Sequence, residues 1–146
     1  MTERKISFDE YVCPICYYPF AECTCRSNPW TLIFIDKNIQ HAVRVLNSKG
    51  YQTISSCEGH YKTSLSVHVQ LLMDYQFESM PDGFRYCKRG NCIEHIMSRK
   101  TFNNEEGFNI ERVNVIKALN KWVDALPDNP YLHRRAGNLI SDPQKK

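Results

Sequence analysis

The sequence predicts an α+β fold: a small mixed sheet, two main helices and a cysteine-rich knuckle at the N-terminal end. Three observations predict it. Four cysteines, Cys13, Cys16, Cys23 and Cys25, fall within thirteen residues that also hold two prolines. Short β-branched and aromatic runs alternate with two segments of helical apolar spacing. The 146 residues, 42% hydrophobic and 24% charged, suit one ordinary core with a small appendage. The expected divisions are a knuckle segment over 1–28, an α+β body over 29–127 and an irregular tail over 128–146.

The elements follow in order. The knuckle segment is loop-rich, because its prolines and cysteines leave little room for regular structure. Trp30 to Ile35 is β-branched and aromatic, which predicts a buried strand. Asp36 can cap a helix whose apolar positions are Ile39, Ala42, Val43 and Leu46, with Gly50 at its stop. Tyr51 to Cys57 predicts a second strand, with Glu58-Gly59-His60 as its exit turn. From Ser64 to Met73, Leu65, Val67, Val69 and Leu71 share one face and His68 lies on the other, the period of a strand. Phe84–Cys87 and Ile93–Met97 predict a hairpin. Asn109 is the expected cap of a second helix over Ile110–Leu126, its stripe formed by Val113, Ile116, Leu119, Trp122, Val123 and Leu126.

Composition narrows the function classes. The net charge of +3 permits a nucleic-acid partner without requiring one. No apolar run reaches the roughly 18–20 residues of a membrane span. The first residues lack the apolar stretch of a signal peptide, so a cytoplasmic protein, not bound to membrane, is expected. In a reducing compartment, seven cysteines point to metal ligands or reactive thiols before disulfides.

Cys13-x2-Cys16-x6-Cys23-x-Cys25 is the strongest chemical signal. The two-residue gap lets two thiolates meet one ion from a tight turn, and the six-residue loop returns a second pair. Four soft thiolates suit a closed tetrahedral zinc site; an iron–sulfur centre is the alternative. Such a site leaves no coordination position for substrate, so it stabilises and does not catalyse.

Cys57, Cys87 and Cys92 remain. Cys57-x2-His60 and Cys87-x4-Cys92-x2-His95 offer donors for a candidate second zinc. The preferred set is Cys57, His60, Cys87 and Cys92, with His95 as the substitute. If three donors bound, an open position could hold water with Glu58 or Glu94 as base. The competing reading makes Cys57 and Cys87 small buried hydrophobes. No zinc-hydrolase or deaminase motif is present. Arg85, Lys88, Arg89, Arg99 and Lys100 form a basic candidate contact surface around the hairpin, fit for an acidic protein surface or a phosphate backbone. Glu105 to Glu111 is an acidic alternative.

Two resemblances follow from quoted residues. Tyr11-x-Cys13-Pro14-x-Cys16-x-Tyr18-Pro19-Phe20-x2-Cys23-x-Cys25-Arg26 resembles a zinc knuckle at the start of small bacteriophage and prophage proteins. A small zinc-bearing α+β chain without an enzyme motif also looks like some type II-A anti-CRISPR proteins, which bind and block an RNA-guided DNA endonuclease. The resemblance implies a non-enzymatic inhibitor of a host defence nuclease. Leu46-Asn47-x3-Tyr51-x-Thr53-x-Ser55-Ser56-Cys57-x-Gly59 is similar to the opening motif of the tRNA wybutosine-synthesis methyltransferase family. Glu58 and His60 stand where that motif has Ser and Arg, so the turn geometry carries over and the activity does not. The alternative expectations are a tRNA- or nucleic-acid-modifying enzyme that uses the Cys57–His60 turn, and a nucleic-acid-binding zinc module.

Overall fold

The computed structural model describes residues 8–25, 31–87, 91–98 and 102–130. They form an α+β structure with two antiparallel sheets. The smaller sheet pairs β1 (Tyr11–Val12) with β2 (Ile33–Phe34). The larger holds β3 (Thr53–Cys57), β4 (Ser66–Leu71), β5 (Arg85–Tyr86) and β6 (Cys92–Ile96), in the order β3-β4-β6-β5. The helices are α1 (Gln40–Ser48) and α2 (Glu105–Ala125).

The core lies between the larger sheet and the two helices. Val67, Val69 and Leu71 of β4 and Ile93 of β6 face Ile39, Ala42, Val43 and Leu46 from the α1 side. Phe108, Leu119, Trp122 and Val123 complete it from α2. Each fully buried aliphatic or aromatic side chain contributes roughly 1.5–3 kcal/mol relative to exposure. Lys49, just past α1, donates from Nζ to the carbonyls of Val123, Asp124 and Leu126 at distances of 2.9, 2.9 and 2.6 Å. His41 of α1 meets Asp124 of α2 at 2.7 Å.

Several expectations are corrected. The larger sheet is antiparallel throughout, not mixed, because the strand before α1 leaves it to pair with β1. That strand is also two residues long and exposed, at 37% for Ile33 and 40% for Phe34, while Ile35 turns inward. Asp36 does not cap with its side chain. It opens a 3-10 turn, Lys37–Ile39, while its carboxylate reaches across to the end of β3. The second helix begins at Glu105, and Asn109 lies inside it. Its cap is Asn104, whose side chain accepts the Gly107 N–H at 2.9 Å. Val113 points outward, 49% exposed, and Val115 and Phe108 take inward positions. Lys88, Arg89, Arg99 and Lys100, and the tail from 131 onward, lie outside the described residues.

Candidate metal centres

The knuckle is built by a reversal of the chain after β1. The Cys13 N–H donates to the Tyr18 carbonyl at 3.0 Å, and the Tyr17 N–H to the Cys13 carbonyl at 2.9 Å. Tyr17 takes a left-handed conformation, φ 61°, which turns the chain within those two bonds. A 3-10 turn, Phe20–Glu22, then carries Cys23 and Cys25 back. The four sulfur atoms of Cys13, Cys16, Cys23 and Cys25 lie within 4.8 Å of one another, a group able to hold one metal ion. Backbone amides already point at two of them. Ile15 N–H meets Cys13 Sγ at 3.3 Å, and Cys25 N–H meets Cys23 Sγ at 3.2 Å. Such bonds orient ligand sulfurs from behind. Cys13 is fully buried and Cys25 is exposed, so the centre sits with one side in the core and one at the surface. Desolvation among the thiols, with hydrogen bonds from Cys16 and Cys23, pushes the Cys25 thiol up to about 12.

Arg44 fastens the knuckle to α1. Its Nε donates to the Tyr17 carbonyl at 3.3 Å, and its guanidinium stacks 4.0 Å over the Tyr18 ring. Between knuckle, α1 and the 73–76 segment runs a groove of about 1390 Å³, lined by Ile15, Tyr18, Arg44, Met73 and Tyr75 among others. Ile15 and Met73 are exposed in it, at 71% and 54%.

The candidate second set does not assemble as expected. Cys57 and His60 come together, but their third neighbour is Asp36. Cys87 and Cys92 face each other across β5 and β6, where the Cys87 N–H donates to the Cys92 carbonyl at 2.8 Å. Strand β4 separates the two pairs. Cys57 stands opposite His68 on one side of it, and Cys92 opposite Gln70 on the other. Two strand spacings of about 4.8 Å each, plus the two-residue offset, exceed the reach of a single ion. His95 is in neither group. Its ring lies 5.5 Å from Phe84, and a Cβ on Gly83 would fall 2.6 Å from it.

At the first of these pairs, His60 Nε2 lies 3.1 Å from Asp36 Oδ2, which also accepts the Glu58 N–H at 3.0 Å. Cys57 Sγ accepts the Gly59 N–H at 3.4 Å and lies 3.8 Å from Ser64 Oγ. Hydrogen bonds with Asp36 and then Cys57 push His60 up to about 9. Burial acts to raise the Cys57 thiol, but His60, the Gly59 amide and Ser64 together bring it below its ordinary value. At the other pair, burial first and Cys87 second push Cys92 up to about 12.

Neither carboxylate expected as a base is poised for that role. Glu58 Oε1 accepts the Asn38 N–H at 2.8 Å, and its Oε2 lies 3.4 Å from both Asn38 Nδ2 and Arg112 Nη1. Glu94 pairs with Arg85 across β5 and β6 at 3.4 Å. Asp36 is hard to see as a site residue in the sequence, because it is distant from Cys57 along the chain and has the look of a helix cap. No helix among the described residues is long and apolar enough to cross a membrane. Comparison with protein-family models, curated proteins and solved structures finds no match to this chain.

Proposed function

We propose that the protein is a phage-type zinc-binding protein that acts by binding and not by catalysis, and that it inhibits a host RNA-guided DNA endonuclease in the cytoplasm. The observation that carries this reading is the four-sulfur group Cys13, Cys16, Cys23 and Cys25, within 4.8 Å of one another. Zinc is the ion such a set prefers, and four thiolates fill its tetrahedron. The metal then acts structurally, making a loop-rich segment rigid enough to present side chains. Arg44 transmits that rigidity to α1 through its contacts with Tyr17 and Tyr18. The surface offered to a partner is the knuckle with its adjoining groove, where Ile15, Tyr18 and Met73 are exposed beside Arg44. Exposed apolar side chains rimmed by charge are the usual composition of a protein-binding patch.

Target cleavage by several type II effectors, with and without the purified protein, tests this reading. Inhibition of at least one effector, weakened at least tenfold by Ile15→Asp, is expected. Unchanged cleavage across all of them overturns it.

A second reading, a tRNA- or nucleic-acid-modifying enzyme, is favoured by the thiol–imidazole–carboxylate contact of Cys57, His60 and Asp36. It requires that Cys57→Ala abolish a measurable modification of tRNA while the chain stays folded.

A further inference from the structure

We propose that Asp36, Cys57 and His60 form a second metal site, distinct from the four-thiolate centre, which takes one zinc ion on three protein donors with water in the fourth position. The three donors come from three places in the fold: the junction of β2 with the turn before α1, the end of β3, and the loop after it. Their ligand atoms nevertheless lie within 4.8 Å of one another. Zinc bonds of about 2.0–2.3 Å set tetrahedral donors roughly 3.3–3.8 Å apart. The pair His60 Nε2 and Asp36 Oδ2, at 3.1 Å, is already near that spacing. Small side-chain shifts therefore close the site around an ion.

The donor set selects the metal. A thiolate disfavours magnesium and calcium, which take oxygen ligands. A single imidazole lacks the second histidine of blue-copper and facial-triad iron sites. One sulfur, one nitrogen and one carboxylate oxygen suit zinc.

The surroundings are those of a ligand set held in place. The Asp36 side chain is only 4% exposed, and the Glu58 N–H holds Oδ2. The Gly59 N–H points at the Cys57 sulfur. Backbone donors of this kind orient ligands and tune their affinity. The turn itself is rigid. His60 and Ser64 exchange two backbone hydrogen bonds, at 2.7 and 2.8 Å. Gly59, at φ 86°, packs so closely that a Cβ would fall 2.8 Å from Met97 Cε. Glu58 is the nearest further carboxylate in the turn, but both its oxygens are held by Asn38 and Arg112. Water therefore completes the coordination.

Zinc per chain, measured by elemental analysis and by chelator-competition titration of the full-length protein, tests the site. Two equivalents are expected in the wild type. Asp36→Asn and Cys57→Ser should each lose the second equivalent or weaken it at least tenfold, while Cys87→Ser with Cys92→Ser keeps both. Asp36→Asn preserves side-chain shape, and circular dichroism verifies its fold. Cobalt titration of the wild type gives a readout free of any substitution. The second equivalent should add a visible spectrum with a weaker sulfur charge-transfer band than the four-thiolate centre. One equivalent in the wild type under excess zinc overturns the site, as do two equivalents retained in both Asp36→Asn and Cys57→Ser.

Discussion

The Glu58 carboxylate lies 3.4 Å from the Arg112 guanidinium, with both side chains largely out of solvent, at 8% and 18% exposed. Arg112 also donates to the Gly59 carbonyl at 3.1 Å. One arginine of α2 therefore holds the turn that carries Cys57 and His60. Removing it leaves a buried carboxylate with only Asn38 as a partner among the described residues. Arg112→Met should lower stability by roughly 3–5 kcal/mol, the usual effect of breaking a buried pair. Urea denaturation of the single variant and of Arg112→Met with Glu58→Gln checks this; the double variant should recover part of the loss.

On the proposal that zinc fills the four-cysteine knuckle, stripping metal from the protein should unfold the first segment. Structural zinc contributes on the order of 10 kcal/mol of apparent binding free energy, coupled to folding. A strong chelator, or Cys16→Ser, should therefore release one metal equivalent and expose residues 8–25 to protease. Limited proteolysis before and after chelation, with cleavage sites read by mass spectrometry, tests this.

Gly59→Ala should destabilise by about 1–3 kcal/mol, since φ at 86° is a left-handed conformation that a residue with a Cβ adopts only under strain. Thermal melts measure the effect. A melting temperature equal to that of the wild type would show that the turn relaxes freely.

Asn104→Ala should cost about 1 kcal/mol by leaving the Gly107 N–H without its cap. Asn109→Ala, at the position the sequence alone suggests for the cap, should be close to neutral. Denaturation of the two variants side by side discriminates between them.

Cys92 should be slow to alkylate near neutral pH. Its thiol is pushed up to about 12 by burial and by Cys87, so only about one molecule in ten thousand carries the thiolate at pH 8, against about a quarter for an ordinary thiol. Because the folded value is raised, labelling should go on rising about tenfold per pH unit above pH 9, where the labelling of an ordinary thiol levels off. Mass spectrometry of iodoacetamide-treated protein at several pH values follows it.

How much of the fold and site is legible in the sequence depends on how far the information travels along the chain. The α1 stripe of Ile39, Ala42, Val43 and Leu46 and the alternation of Val67, Val69 and Leu71 are local periodicities, and all seven residues are buried as expected. The four knuckle cysteines converge as their spacing implies. The start of α2 is hard to place because Gly107, a residue that suggests a loop, sits in its first turn. The second set of donors fails for a topological reason. Spacing along the chain cannot reveal that β4 comes between Cys57 and Cys92, nor that Asp36 folds back onto the turn.

The ammonium of Lys49 has a bearing on how this fold can vary. An ammonium has three protons, and the carbonyls of Val123, Asp124 and Leu126 provide an acceptor for each. The residue that follows one helix thus gauges the length of the other. An insertion within α2 would rotate its final carbonyls by about 100° and displace them about 1.5 Å along the axis. The same side chain could no longer span them. The two helices are calipers set to one another, and neither can be lengthened without resetting both.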